Sequence, residues 1–238
     1  MKKPTVAIIG GTGREGQALA LRSIFAGYPT LVGSRDAQKA KRTASQLETK
    51  LKTKPGNLTI QGLSNGGAAG KADIVFFTIP YNAFKEVLDL VGGVLQDKLL
   101  IDVIVPYKLH SPILVDNTVL DEYREHYGTG KTPSVTEETF LYLQHKFSFK
   151  PRVVAAFKTI SFKLVEDLKT SFNTPILMWG FDSADLQRLK ELTQAFFPQA
   201  TLYEVPQMYW RSVEGTCEYM RYMNLIGTRV AAMSFSYG

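Results

Sequence analysis

The sequence predicts an α/β fold, a Rossmann-type doubly wound parallel sheet with a small C-terminal helical region. Three observations carry that reading. Short apolar runs bounded by turn residues alternate with longer amphipathic stretches over the first hundred residues. Two of those runs, Ala72–Ile79 and Leu99–Val105, are almost continuously apolar, as strands covered on both faces are. A glycine cluster follows the first run directly and opens the first helix pattern.

Taken in order, Thr5–Ile9 follows Pro4 and reads as a buried strand. Arg14–Ala26 carries Leu19, Leu21, Ile24 and Phe25 at helical spacing and stops at Gly27. Thr30–Val32 is a second strand. Asp36 to about Lys52 is a charged, alanine-rich helix ended by Pro55-Gly56, and Leu58–Gln61 a third strand. Asn65–Gly70 reads as a short helix or loop. Ala72–Ile79 is the fourth strand, and Asn82–Leu90 a helix presenting Phe84, Val87 and Leu88 to the core. Leu99–Val105 is the fifth strand. Alternation of this kind implies parallel strands with helices on both faces.

Residues 106–150 leave the alternation and read as a long insertion or lid. Turn signals lie at Tyr107–Pro112 and Gly128–Pro133, and Ser134 with Glu137 forms a capping box opening a helix over Thr136–Gln144. Beyond it come a strand (Arg152–Phe157), a helix (Leu164–Lys169), a strand (Ile176–Trp179), a helix capped near Asp182 (Ala184–Ala195) and a strand (Thr201–Tyr203). Pro206 to about Ser234 reads as one long helix, with Val205, Met208, Val213, Cys217, Met220, Asn224, Gly227 and Val230 near one stripe. The division expected is 1–157 for a nucleotide-binding domain and 158–238 for a smaller α/β region ending in that helix.

Composition narrows the function classes. The chain has 238 residues, 45% of them hydrophobic, which excludes a mainly disordered chain. Cys217 is the single cysteine, so no internal disulfide is expected. Three histidines and one cysteine do not make an ordinary structural zinc site. No apolar run approaches the roughly 20 residues that span a bilayer. The opening MKKPTVAIIGGTG resembles a weak signal peptide but runs into a glycine turn, so a cytoplasmic protein without membrane contact is expected. Net charge is +6. Most of the excess lies between Arg35 and Lys54, where seven basic residues face only Asp36 and Glu48. The patch lacks interleaved aromatics, which argues against nucleic acid and for a phosphate-bearing small molecule.

Gly11-Thr12-Gly13-Arg14-Glu15-Gly16 matches G-x-G-x-x-G between a strand and a helix. In such a unit the first glycine makes the tight turn, the second lets the backbone approach a pyrophosphate, and the third packs helix on strand. The helix amino end offers free N–H groups to the phosphates. An NAD site carries Asp or Glu at the tip of the second strand for the ribose 2′-hydroxyl. Here the tip reads Gly33-Ser34-Arg35, with Asp36 only after the arginine and Lys39 one helical turn on. Ser34, Arg35 and Lys39 suit a 2′-phosphate, hence NADP. Thr78-Ile79-Pro80-Tyr81 sits at the carboxyl end of the fourth strand, the rim where open α/β sheets bind ligands, and Val105-Pro106 ends the fifth the same way.

Proton-transfer machinery is not evident. His110, His126 and His145 all fall in the irregular middle, and Cys217 lies on a core stripe. Gly130-Lys131-Thr132 echoes a P-loop, but Glu125 stands where its first glycine belongs and no strand precedes it. Direct hydride exchange between two redox cofactors needs mainly positioning, whereas a hydroxy-acid dehydrogenase needs a proton-moving side chain.

Ile9-Gly-Gly-Thr-Gly, Gly33-Ser-Arg with Lys39, and Ala72-Asp-Ile-Val with Thr78-Ile-Pro occur in the order and spacing of the NADPH-dependent deazaflavin (coenzyme F-420) reductases, which residues 5–105 resemble. The resemblance implies NADP with its 2′-phosphate at Thr12, Ser34, Arg35 and Lys39. It further implies a nicotinamide near Thr78–Tyr81, a deazaflavin co-substrate stacked on it, and a homodimer formed through the C-terminal helix. Val153–Ile160 resembles the strand reaching the deazaflavin pocket, with Lys158 where the family tends to have His and Ser161 where it has Pro. Arg211–Glu214 resembles the start of the final helix. Lys158 and Thr159 would line the acceptor site and Arg211 would hold an anionic tail. Two other readings stay open: an NADP-dependent reductase of a carbonyl or imine, with Lys158 or Tyr81 as proton donor, and an NADPH-sensing module without turnover.

Overall fold

The computed structural model describes residues 3–51, 59–106, 114, 116–128, 131–169 and 174–225. One eight-stranded sheet runs through all of it in the order β3-β2-β1-β4-β5-β6-β7-β8. β1 (Val6–Ile9) lies between β2 (Thr30–Ser34) and β4 (Ile74–Phe77); β3 (Ile60–Ser64) is one edge and β5 (Leu99–Asp102) flanks β4. These pairings are parallel, with Val6 opposite both Thr30 and Ile74. β6 (Arg152–Ala156) joins β5 in parallel, Leu99 opposite Arg152.

The expected doubly wound parallel sheet is present, with one antiparallel pairing beyond β6. β7 (Ile176–Gly180) runs antiparallel to β6, Ala155 opposite Trp179, and β8 (Leu202–Glu204) is parallel to β7 at the far edge. An apolar run shows burial on both faces and nothing about direction, so strand polarity here is set by the path between β6 and β7. The sheet is continuous across residues 157 and 158.

The helices cover two faces. α1 (Arg14–Phe25), α2 (Ala37–Lys50), α7 (Phe162–Glu166) and α8 (Ser183–Phe196) close one core, built around Ile8, Leu19, Phe76, Ile101, Phe157 and Phe196. α3 (Asn65–Lys71), α4 (Phe84–Val91) and α6 (Val135–Phe147) close the other, around Ile9, Phe77, Phe84, Leu100 and Leu143. The buried Arg22 of α1 locks α7 in place by donating to the carbonyls of Val165 (2.6 Å), Leu164 and Asp167. These are orphan acceptors at the end of a five-residue helix, satisfied by a guanidinium.

Several boundaries differ from the sequence pattern. β3 starts at Ile60 rather than Leu58, which lies outside the described residues together with the Pro55-Gly56 stop. A 3-10 turn at Tyr81–Ala83 precedes α4. α5 (Asn117–Tyr127), capped by Asp116, occupies part of the stretch read only as turns. The capping box of Ser134 and Glu137 is present, reciprocal, and opens α6. The final helix is broken at its start: Gln207–Tyr209 is a 3-10 turn and α9 spans Trp210–Leu225. Met208 is 77% exposed, off the expected stripe, whereas Glu214 is buried. Gly227 and Val230 of that stripe lie outside the described residues.

Candidate functional site

The carboxyl end of the sheet gathers the residues singled out above. The chain leaves β1 through Gly10 at φ +77°, a left-handed turn that glycine takes without strain. The Gly11 N–H donates to Gly33 O (2.9 Å), so the loop is stitched to β2 before α1 begins. Gly13 is the helix N-cap and carries no side chain to satisfy the first-turn N–H groups. A Cβ there would touch only Gly10 O, at 3.4 Å, so its outer side is open. Gly16 is the reverse: a Cβ would stand 2.7 Å from Gly10 O, Gly11 Cα and Thr78 Oγ1. Open amides over a tightly packed glycine turn are the features a bound pyrophosphate uses. Thr12 is half-buried, its carbonyl accepting from Gln17 Nε2 at 3.0 Å; Arg14 is exposed, its guanidinium 5.7 Å from the Phe162 ring.

Glu15 is the anomaly of this loop. Its Oε1 is shut off from solvent and has no hydrogen-bond partner among the described residues, and burial pushes the carboxyl up to about 8. In an unfolded chain the same group ionises near 4.5. The folded protein therefore holds a proton that the unfolded chain releases between pH 4.5 and 8, and stability falls as pH rises through that window. Glu15→Gln should remove the slope and stabilise the protein by ~2 kcal/mol at pH 8, with little change at pH 4.5. Chemical denaturation at both pH values checks this.

At the tip of β2, Ser34 is buried and its hydroxyl accepts from the Asp36 N–H at 3.2 Å. Asp36 is the N-cap of α2: its Oδ1 accepts from the amides of Gln38 (2.8 Å) and Lys39 (3.1 Å). Those amides, Lys39 first, hold the carboxyl below its usual range. The acid nearest the strand tip is thus engaged in starting a helix. Arg35 and Lys39 are exposed, and among the described residues neither forms an ion pair. Buried Asn65, the first residue of α3, places its Oδ1 3.4 Å from the Gly10 N–H and supports the loop from the other side.

The loop after β4 is anchored backwards. Thr78 donates from both its N–H (3.0 Å) and its hydroxyl (2.9 Å) to Ile9 O. Ile79 is half-buried and Pro80 exposed. Tyr81 is buried, its hydroxyl lying 2.8 and 3.0 Å from the two carboxylate oxygens of Glu138 in the first turn of α6.

Behind this rim lies a buried charge cluster. The Lys158 ammonium has no exposed surface and donates to Asp102 Oδ2 (2.6 Å), Glu214 Oε1 (2.7 Å) and Ile104 O (2.7 Å). Burial opposes its charge, but the two carboxylates outweigh burial and hold it above an ordinary lysine. Glu214 is pushed upward by burial against the pull of Lys158. Asp102 accepts also from Thr136 Oγ1 (2.8 Å), whose oxygen accepts from Trp179 Nε1 (3.0 Å). Glu214 Oε2 takes the Val135 N–H at 2.9 Å, so this carboxylate caps α6 from another helix. Removing one member of such a pair costs about 3–5 kcal/mol, because a charge is left buried alone.

The acceptor residues expected from sequence therefore separate. Lys158 lies behind the surface with its three N–H groups all donated to protein oxygens. Thr159 is buried, its Oγ1 without a partner among the described residues, and Arg211 is half-buried, 3.7 Å from Glu214 Oε2. Cys217 is buried and its thiol pushed up to about 12 by that burial, which suits packing and not nucleophilic attack. His145 is a surface group 3.9 Å from Glu122, His126 lies edge-on to Tyr127, and His110 falls outside the described residues. Among the described residues no three His, Cys, Asp or Glu side chains cluster as metal ligands, and no helix is long and apolar enough to cross a membrane.

Asn65, Glu138, Asp102 and Glu214 were not singled out by sequence. A carboxylate closing a strand as hydrophobic as Leu99–Ile101 is the one signal that was available.

Residues 5–106 match the model of the family described as NADP oxidoreductase, coenzyme F420-dependent. An F420-dependent NADP reductase of Methanothermobacter thermautotrophicus is 41% identical over 102 residues, which is 42% of this chain and 43% of that protein. The counterpart in Methanocaldococcus jannaschii is 28% identical over 177 residues, 74% of this chain and 73% of that one. The match thus spans less than half the length of the first relative. A candidate F420-dependent NADP-reductase structure from Arthrobacter sp. FB24 superposes with TM-score 0.66 at 19% identity, covering 98% of both chains, a likeness of fold.

Proposed function

We propose, for a chain whose residues 5–106 match the model of the F420-dependent NADP oxidoreductases, that it passes hydride between NADPH and a deazaflavin of the coenzyme F420 type. The observation that carries the reading is the β2 tip. Two exposed cations without ion-pair partners among the described residues, Arg35 and Lys39, stand there, and the neighbouring acid is consumed by a helix cap. That arrangement favours a ribose 2′-phosphate over a 2′-hydroxyl.

In this reading Gly11, Thr12, Gly13, Arg14 and Glu15 form the pyrophosphate cradle, α1 contributing its open N–H groups and positive end. Ser34, Arg35 and Lys39 hold the 2′-phosphate. Thr78, Ile79, Pro80 and Tyr81 flank the nicotinamide, with Thr78 tied to the end of β1 so that the two walls keep their spacing. A proton-neutral Glu15 adds no repulsion to the phosphates. The nicotinamide, when bound, supplies a hydride; the protein contributes alignment and exclusion of water. Thr159 and Arg211 serve the acceptor, Thr159 through a hydroxyl with no partner among the described residues and Arg211 as a cation for an anionic tail. Residues 1–157 carry the NADP side and 158–238 the acceptor side.

The test is anaerobic mixing with NADPH and oxidised coenzyme F420. Rapid loss of deazaflavin absorbance is the expected result; NADPH binding without bleaching would overturn the assignment of the acceptor. The reading includes a cytoplasmic homodimer. Support for the homodimer is the exposed apolar surface of Met208 and Tyr209 just before α9 and of Tyr219 within it, and sedimentation equilibrium tests it.

A further inference from the structure

The reaction just proposed makes no direct use of a fully buried cluster of three charged side chains. Lys158, Asp102 and Glu214 come from the loop after β6, the end of β5 and α9, and all three side chains are fully buried. Every oxygen and N–H of the three ionised groups is engaged: Asp102 Oδ1 accepts from the Ile104 N–H (2.8 Å), and the remaining bonds are those given above. A buried charge network with no open valence has no room for a ligand, but it fixes relative positions sharply.

What it fixes is the first turn of α6. Within four residues, Val135 donates to Glu214, Thr136 bridges Asp102 and Trp179, Glu137 accepts from Tyr123 and Gln207, and Glu138 holds the hydroxyl of Tyr81. The turn therefore couples the loop Thr78–Tyr81 to α9. The approach of Lys158 is itself enforced. Phe157 sits at φ +64°, a left-handed conformation rare outside glycine, with its ring packed on Phe76 and Phe197. Such strain persists where the surroundings over-determine it.

We infer that Lys158 is a positioning residue: through Asp102 and Glu214 it sets α6 and α9 against the rim of the sheet, and so sets the wall against which the hydride acceptor lies. This rests on the function proposed above.

Two variants test it. Lys158→Met leaves Asp102 and Glu214 buried without their shared cation, with only the half-buried Arg211 at 3.7 Å from Glu214 Oε2, and should lower Tm by about 10 °C. Lys158→Met with Asp102→Asn restores the formal charge of the cluster and should recover most of that loss. The double variant should bind NADPH within about twofold of wild type, yet its KM for coenzyme F420 should rise at least about tenfold with kcat within about threefold. Amide exchange at residues 135–138 and 211–217 should quicken at least about tenfold. A double variant with wild-type exchange and wild-type KM would overturn the inference, as would a kcat falling a hundredfold with loss of one limb of the pH profile, which marks proton transfer. If the wild type bleaches no deazaflavin, the proposed reaction falls, and exchange at these two segments decides whether Lys158 positions α6 and α9.

Discussion

Arg35→Ala should weaken NADPH binding about 10- to 100-fold while changing NADH affinity by no more than about twofold. A charge-assisted hydrogen bond contributes roughly 1.5–3 kcal/mol, and every 1.4 kcal/mol is tenfold in affinity. Arg35 is exposed and among the described residues has no ion-pair partner, so its loss orphans no protein group and leaves the fold untouched. The selective loss follows because NADH lacks the phosphate on which the guanidinium would act. Lys39→Ala should act in the same direction and more weakly, as a point charge and not a bidentate fork. Fluorescence titration with both nucleotides measures it. Equal weakening of NADPH and NADH would remove the 2′-phosphate from the β2 tip.

Gly16→Ala should lower NADPH affinity at least about tenfold and destabilise the fold by about 1–3 kcal/mol. The added methyl would meet Gly10 O, Gly11 Cα and Thr78 Oγ1 at 2.7 Å. Two of these are backbone atoms of the turn itself, and the third is a hydroxyl already donating to Ile9 O. None is the free end of a flexible side chain. The first turn of α1 has to move outward, taking its open N–H groups with it. Denaturant titration and nucleotide binding, run side by side, check both effects. Gly13→Ala is the control: its Cβ meets one atom at 3.4 Å, so stability should hold while the open side of the loop fills.

The first half of the sheet was readable because each local signal agreed with the next. Apolar runs, the glycine turn and the Asp182 cap are chain-local features, and local chemistry decides them, whereas Asp36, read as the first helical residue, is the cap of α2. The capping box at Ser134 was readable for the same reason. What escaped was non-local. Lys158 reads in sequence as a polar residue at a strand end, available to a ligand. Its partners lie 56 residues away on either side, at Asp102 and Glu214, and only the folded chain turns three charges into a closed cluster. Glu138 hides among the acidic residues that ordinarily decorate a helix start. The reversal of β7 is likewise a property of the connection. α5 was overlooked because turn residues on both sides dominate that stretch.

The shared ladder between β5 and β6 has a consequence for how this architecture can be divided. The stretch that matches the family model ends at residue 106, just past β5, and the other neighbour of β5 arrives only at Arg152. Cut at 106, the chain would expose the backbone of Leu99–Ile101, a wholly apolar edge of the type that recruits other chains. A nucleotide-binding half excised at the limit of its likeness would therefore be prone to aggregate, however intact its glycine loop. The remainder of the protein acts as an edge guard for the matched part. A new acceptor site can be built there only by sequences that still deliver a strand to β5.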